Sequence, residues 1–574
     1  MLNVERLTDD YLPSLRNKPL MLQRSLQAML RILFHEKELN RFQTTYPYLK
    51  GFDFVDKLLE HFDFGYSLKT NERERIPEKG RVVIIANHPI GSLDAAVLVH
   101  LVGEIRRDVK AVSNQLLSGI QPLAPLLLPV DNMGGRSSRE QLKAVYQHLE
   151  KEGAVIIFPA GEVSRMSPTG IRDARWNSGF LRMATAAHAP ILPIYIDGRN
   201  SIFFYVLSLF SKPLSTLWLV REMFKQANRS VHISIGNAIS FDSYQRANLP
   251  LKSRIKLFQR HLYRIATQRE PVFATSKAIA HPEKRQPLRQ EIHACELLGK
   301  TSDGKHIYLF DFNSDCSIMR EIGRLREVSF RAVGEGTGER RDVDAFDPYC
   351  QQIILWDEEQ LEIVGAYRMR ATQDKAQQEL YSETLFDFQP LMAPILKHGL
   401  ELGRSFVQPS YWGKRSLDYL WFGIGAFLRR NPDIRYLFGP VSISNSFPPT
   451  AKDMLVDFYT TYFSSDVCLA TARLPYTLNA SNYEGSQESF SGGDYKFEYN
   501  QLKHKLKYLG CSVPTLFKQY GELCDEGGVY FLDFNIDPGF ADCVDGLVVL
   551  DLHKLKAAKR KRYIDIADVT FSKL

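Results

Sequence analysis

A two-domain α/β protein is predicted by three observations: a length of 574 residues, an ordinary globular composition, and two separate stretches in which short apolar runs alternate with helix-like segments. A single hydrophobic core stops growing well below this length, so two or three domains are expected. The apolar content of 44% and charged content of 24% fit a packed chain rather than a disordered one. The seven cysteines (Cys295, Cys316, Cys350, Cys468, Cys511, Cys524, Cys543) are odd in number and scattered, without a C-x-x-C pair or a histidine at metal spacing. They predict reduced thiols in a cytoplasmic protein with no metal site.

The first element is an amphipathic helix over residues 18–34, where Leu22, Leu26, Met29, Leu30 and Leu33 share a face. From residue 81 the runs "RVVIIANH", "DVKAVSN", "GAVIIFPAG", "APILPIYIDG" and "SVHISIG" read as strands of a largely parallel sheet, with functional loops at the strand ends. Residues 271–300 lose this rhythm and gain proline and charge, which predicts a linker between a domain at 1–270 and another at 301–574. The second domain offers strands "HIYLFDF", "QQIILWD", "IVGAYRMR", "SFVQPS" and "IRYLFGPVSIS", with a helix over Leu417–Arg430. The polar stretch 479–500 reads as an exposed loop or lid.

Charge and hydropathy bound the partners. The N-terminus is acidic where an export signal would be basic, and no run of 18 apolar residues is available to span a bilayer. The most apolar segment, 201–224, is interrupted by Lys212 and Pro213. It fits either a buried helical hairpin or a segment lying in a bilayer interface. Six lysines and arginines fall within residues 553–563. They would attract anionic lipid head groups or an acidic carrier protein, or simply form a solvated helix face. No nucleic-acid recognition motif accompanies them.

In "RVVIIANHPIGSLDAAVLVH", an apolar strand delivers Asn87 and His88 to its carboxyl end, and Asp94 opens an apolar helix. A neutral imidazole there would take a proton from an alcohol while Asp94 fixes its tautomer. The competing reading makes Asp94 a helix cap. The Asn-His and downstream Asp resemble the signature of the lysophospholipid and glycerol phosphate acyltransferases. That family usually has four residues between His and Asp; here there are five, and Gly91 would absorb the extra one at positive φ. Its further blocks follow in order as "LLPVDNMGGRSSRE", "IIFPAGEVSR" and "ILPIYIDGRNS". Asn132 stands where arginine is common, and Ala160 where glutamate is usual. The resemblance implies catalysis by His88 and Asp94 and substrate binding by Arg136, Arg139, Glu162 and Arg165. The altered blocks count against a phosphate-bearing acceptor and resemble those of hemolysin-related acyltransferases of lyso-lipids.

In the second half, Arg326 and Phe330, then Asp344 and Asp347, Arg368, and finally Glu401 and Arg404 occur in an ordered series across residues 315–445. The series is similar to the N-acyltransferases of ornithine lipid synthesis and, more distantly, to acyl-homoserine lactone synthases, both GNAT-like folds. The resemblance implies that Asp344 and Asp347 bind ammonium groups, that Arg368 or Arg404 pairs with a carboxylate or phosphate, and that Glu401 is the base that neutralises the amine. Asp347, preceding Pro348, also fits a turn. "WGKRS", ahead of the predicted helix, would hold one phosphate on backbone amides. Together the halves resemble bifunctional ornithine lipid synthases. That implies acyl carrier protein or acyl-CoA as donor, ornithine and a lyso-lipid as acceptors, no cofactor, and a place on the cytoplasmic face of the inner membrane. The alternatives are a phosphatidic acid type acyltransferase fused to a sensory or autoinducer-synthase-like domain, and a non-catalytic membrane scaffold.

Overall fold

The computed structural model describes residues 19–113, 120–130, 139–167, 170–245, 249–312, 316–373, 379–479 and 490–565. The chain forms two compact units, Met1–Ala278 and Ile279–Leu574.

The first unit contains strands β1 (Gly65–Ser67), β2 (Val82–Ala86), β3 (Lys110–Ser113), β4 (Leu127–Pro129), β5 (Ala154–Ile157), β6 (Arg165–Ser167), β7 (Gly170–Arg172), β8 (Ile191–Asp197) and β9 (Ser230–Ile235). Seven of them form a sheet in the order β1-β9-β8-β2-β5-β3-β4, and every pairing is parallel except β8 with β9. β6 and β7 form a separate hairpin. Central β2 is buried at all five positions, with Val82, Ile84 and Ala86 in one core cluster and Val83 and Ile85 in another. A strand covered on both faces needs such an unbroken apolar run, which is why "VVIIA" was legible as a strand.

The segment 201–224 is two helices, Ile202–Phe210 and Lys212–Lys225, separated where Ser211 caps the second one and Pro213 occupies its first turn. Phe204 and Tyr205 face the core. Ile202, Leu209 and Phe210 lie open, at 77%, 66% and 86% exposure. The predicted N-terminal helix spans Leu20–Leu33 and packs Leu30 against Leu217 and Val220, while Met29 and Ile32 face outward. Among the described residues no helix is long and apolar enough to cross a membrane.

The second unit contains β10 (Glu296–Lys300), β11 (His306–Asp311), β12 (Gln351–Asp357), β13 (Glu362–Ala371), β14 (Phe386–Phe388), β15 (Gly399–Val407), β16 (Tyr436–Ile443), β17 (Ala470–Ala472), β18 (Val529–Asp537) and β19 (Cys543–Asp551). Eight of them form one sheet, β10-β11-β12-β13-β15-β16-β19-β18, in which only β15 and β16 run parallel. Period-two alternation sorts β12 between two cores. Ile353 and Leu355 meet the helix Ser416–Arg430 on one face, and Ile354 and Trp356 meet the helix Ser317–Arg331 on the other.

Three expectations change here. The stretch 271–300 is not all linker, because Arg285–His293 is a helix that buries Leu288 and Ile292, and β10 follows it. Within 479–500, residues 480–489 lie outside those described, and a helix Tyr495–Tyr508 starts where the Asp494 carboxylate accepts the Lys496 and Phe497 amides. The basic cluster is partly spent inside the protein. Arg562 pairs with Asp418 at 2.5 Å, and Lys554 and Lys556 bond the Gly527 and Glu522 carbonyls.

Candidate active sites

At the carboxyl end of β2 the chain turns into the helix Ser92–Gly103 through Gly91, whose φ of 126° is open to glycine alone without strain. The turn accommodates five residues between His88 and Asp94 and still brings the imidazole Nδ1 to 3.1 Å from Asp94 Oδ2. That same carboxylate oxygen accepts the Ile90 and Gly91 amides at 2.8 and 3.0 Å. Capping the helix and holding the histidine are therefore one arrangement rather than rival readings. Since Oδ2 is an acceptor toward both amides, Nδ1 carries the proton toward it, and Nε2 is left as the basic nitrogen. Among the described residues Nε2 has no protein partner, and the ring, 19% exposed, leans on Phe158 at 4.3 Å.

Other polar groups keep this turn rigid. The Asn87 side chain exchanges two hydrogen bonds with the Ile196 backbone in β8, and Asn200 donates to the Pro89 and Ile90 carbonyls. Asp173, which sequence reasoning missed, accepts the His88 amide at 3.2 Å, the Ser164 hydroxyl at 2.5 Å and the Trp176 indole at 2.9 Å. Burial pushes its carboxyl up, against the pull of these three donors. Its sequence signal was only an aspartate between arginines. Beyond Asp173 opens a cavity of about 1040 Å³ whose walls carry Arg172, Arg175, Lys252, Lys256, Arg260 and Arg264. Lys252, Lys256, Arg260 and Arg264 recur every four residues along the helix Leu251–Ile265, so they share one face.

The other predicted residues of this half fare differently. Glu162 and Arg165 pair with each other at 3.2 Å, and Arg165 also donates to Ser215, which ties the loop to the helix Lys212–Lys225. Both expected substrate-binding residues thus have protein partners. Arg136 lies outside the described residues. Arg139 begins the helix Arg139–Glu150, and its side chain also lies outside them.

In the second unit β15 and β16 pair over only three positions, Gly399–Glu401 with Tyr436–Phe438, and then separate. A Cβ on Gly439 would overlap the Leu402 carbonyl oxygen, so only glycine permits the close approach where they part. Between the diverging ends sits a cavity of about 690 Å³, lined by Ser405 to Val407 on one side and Pro440 to Ser442 on the other. Trp412, Gly413, Lys414 and Ser416 border it at the start of the helix Ser416–Arg430, which is where the "WGKRS" stretch was expected to meet a phosphate.

Arg404 enters this cavity by way of a bulge. Gly403 pairs with Arg368 and Phe406 with Ala366, so two residues oppose Tyr367, and Arg404 takes a left-handed φ of 48°. Its guanidinium lies between the Tyr381 and Phe540 rings at 4.6 and 4.7 Å and donates to the Tyr381 hydroxyl. Its Nε is 3.2 Å from Asp342, in an ion pair without hydrogen-bond alignment. Phe330 also lines the cavity and packs edge-on against Phe540.

The remaining predicted residues form a ladder of charges. Asp347, fully buried, takes two oxygens' worth of hydrogen bonds from Arg326, also fully buried, at 3.0 Å. Arg368 binds both oxygens of Asp344 at 2.8 and 2.7 Å and reaches Asp347 at 3.4 Å. Burial alone would raise Asp344, but Arg368, with Arg404 and Arg326 beyond it, holds its carboxyl below the usual range. Asp344 and Asp347, the expected ammonium-binding pair, are thus both paired with arginines; Asp347 is fully buried and the Asp344 side chain is 22% exposed. Glu401, the expected base, has its Oε1 accepting the Ser382 amide and hydroxyl at 2.8 and 2.7 Å, beside a crevice without room for a water molecule. It does not line the large cavity.

A parallel α/β unit with a histidine-carboxylate pair at a strand end, joined to an antiparallel sheet that splits around a cavity, defines an acyltransferase of two parts. Residues 11–269 match a protein family described as acyltransferase, and residues 325–422 match the acetyltransferase (GNAT) domain. The glycine N(alpha)-acyltransferase of Bacteroides thetaiotaomicron is 31% identical over 50% of this chain and 89% of its own length. The lyso-glycine lipid O-acyltransferase of Phocaeicola vulgatus is 30% identical over 40% of this chain and 83% of its own. The L-ornithine N(alpha)-acyltransferase of Brucella abortus is 34% identical over 24% of this chain and 60% of its own. The chain belongs to the family of glycine N(alpha)-acyltransferases and to that of lyso-glycine lipid O-acyltransferases, and it is an enzyme.

Proposed function

We propose that this chain builds a diacylated amino acid lipid in two steps. The GNAT-like unit joins a 3-hydroxyacyl group to the α-amine of an amino acid, and the first unit then esterifies the new 3-hydroxyl. The observation that carries the reading is the His88–Asp94 contact of 3.1 Å on the same chain as a split-sheet cavity of about 690 Å³. In the first unit, His88 Nε2 takes the hydroxyl proton as the oxygen attacks a thioester carbonyl. The tetrahedral intermediate collapses, the C–S bond breaks, and the imidazolium returns its proton to the thiolate while Asp94 balances its charge. Ornithine is the acceptor implied by the ordered motif series. Glycine is the second reading, favoured by relatives matched over most of their length. Feeding labelled glycine and labelled ornithine to a host without aminolipids, followed by lipid mass spectrometry, decides between them; label in neither product rules the pathway out.

The basic cavity beyond Asp173 supports a donor that carries phosphate on its thiol arm, as acyl carrier protein and coenzyme A both do. Lys256→Glu with Arg260→Glu is expected to raise the KM for the donor about tenfold or more at low salt, with kcat little changed and the penalty shrinking as salt rises. Steady-state kinetics with each donor check this. The open apolar side chains Ile202, Leu209 and Phe210 support contact with a lipid surface from the cytoplasmic side of the inner membrane, where a greasy intermediate would stay.

A further inference from the structure

Two carboxylates in the split-sheet cavity have no role so far. Asp545 lies on β19, opposite Ser442 of β16, and is 2% exposed. Its Oδ1 has no hydrogen-bond partner among the described residues, and no lysine or arginine among them forms a salt bridge with it. Glu335 follows the helix Ser317–Arg331 and is flanked by Gly334 and Gly336 at φ 79° and 106°, a turn that sends its side chain into the same cavity. Burying a carboxylate that has a serine hydroxyl but no cation to balance it is costly, and an apolar side chain at position 545 would fold better. A site that keeps the acid has a use for it.

We infer that Asp545, with Glu335 beside it, accepts the proton of the substrate's α-ammonium and is the base of the amide-forming step. The inference rests on the N-acyl transfer proposed above and moves the role away from Glu401, whose carboxylate positions the Ser382 loop. The ammonium gives one proton to the carboxylate, which later passes it to solvent. The free amine attacks the thioester carbonyl, forming C–N and breaking C–S. The second proton leaves the nitrogen in the tetrahedral intermediate and ends on the thiolate sulfur. Arg404 at the cavity wall is suited to the carbonyl oxygen or the substrate carboxylate.

The electrostatics suit the task. Burial pushes Asp545 up to about 7; Asp537 adds to this, while the Ser442 hydroxyl and Arg404 oppose it. Burial, then Asp545 itself, pushes Glu335 up to about 8, against Arg404. Tyr381, Tyr411, Lys414 and the Cys543 thiol, itself pushed above its usual range by burial, are the other titratable groups around the pair. A base is most effective when it titrates near the working pH.

The test is amide formation by the purified full-length chain across a pH series, with glycine and ornithine as separate acceptors and a 3-hydroxyacyl thioester as donor. Asp545→Asn and Glu335→Gln are expected to lower kcat at neutral pH, the former by about 100-fold or more, with KM shifted only a few-fold. The wild-type rise in rate between about pH 6 and 8 should disappear in Asp545→Asn, leaving a rate that follows the free amine. The calorimetric transition of the second unit reports that each variant is folded, and esterification of a synthetic N-(3-hydroxyacyl) amino acid by the first unit serves as the internal standard for active protein. Asp545→Asn should also melt higher than wild type at roughly pH 8 and not at roughly pH 4, since a raised carboxyl favours folding while protonated and loses that advantage as pH rises through its folded value. Unchanged kcat and pH profile in Asp545→Asn would overturn the inference alone. So would a loss confined to ornithine, which would make the pair a site for its side-chain ammonium. A wild-type chain that acylates neither amino acid overturns both the inference and the reading beneath it.

Discussion

His88→Ala will stop the pathway at the monoacylated amide, with ester formation reduced about 10³-fold or more and amide formation unchanged. The magnitude follows from what the imidazole supplies: general acid–base catalysis is worth roughly 10²–10⁴ in rate, or about 3–5 kcal/mol of barrier. Asp94 cannot substitute, because its side chain has no exposed surface and one of its oxygens already holds two amides and the imidazole. Asp94→Asn separates the two duties of that carboxylate. As a cap, an asparagine oxygen still accepts from the Gly91 amide, so the stability loss should stay within about 1 kcal/mol. As the partner of His88 it has lost the charge that balances an imidazolium, and asparagine in such a position costs up to about 10⁴ in rate. A large activity loss with a small melting shift, measured on a synthetic monoacylated substrate, is therefore the expected signature. Equal diacylated product from His88→Ala would remove the role given to the histidine.

What could be seen in advance follows the range of the interactions. β2 was legible because a strand buried on both faces must be apolar at every position, and Val82–Ala86 is. The two residues at its carboxyl end were legible for the same local reason, as was the glycine that bends the chain back to Asp94. The ladder Arg326–Asp347–Arg368–Asp344 was visible as charges but not as partners. Its members come from a helix, a loop and a strand far apart in the chain, so the pairing exists only after β12 and β13 align. The bulge that turns Arg404 inward depends on the register of β13 with β15, which no single segment encodes. The β18–β19 hairpin was missed altogether, and Asp545 with it. An acid inside "CVDGLVVLD" was a signal that could have been used, since a buried strand seldom keeps a carboxylate without a cation beside it.

Asp347→Ala will unfold the second unit more readily rather than weaken its grip on an amino acid. Arg326 and Asp347 are both fully buried, and removing the aspartate leaves a guanidinium with only the Gln352 oxygen at 3.2 Å and the Asp342 carbonyl at 3.2 Å to satisfy it. Breaking a buried pair in this way costs about 3–5 kcal/mol, mostly the penalty of the orphaned charge. That is a large share of the margin by which a domain is stable. The double replacement Arg326→Met with Asp347→Leu removes both charges and should recover most of the loss, because the Coulomb gain of such a pair roughly offsets its desolvation. Calorimetry of the full-length chain should show the transition of one unit lowered by several degrees in Asp347→Ala and largely restored in the double variant, with esterification by the first unit unaffected. A direct role in holding the substrate makes the opposite forecast. Asp347→Ala would then melt like wild type and show only a raised KM for the amino acid, and the double variant would be no better. The burial of both groups decides for the first outcome, since a side chain without exposed surface has nothing to offer a ligand until the ladder around it comes apart.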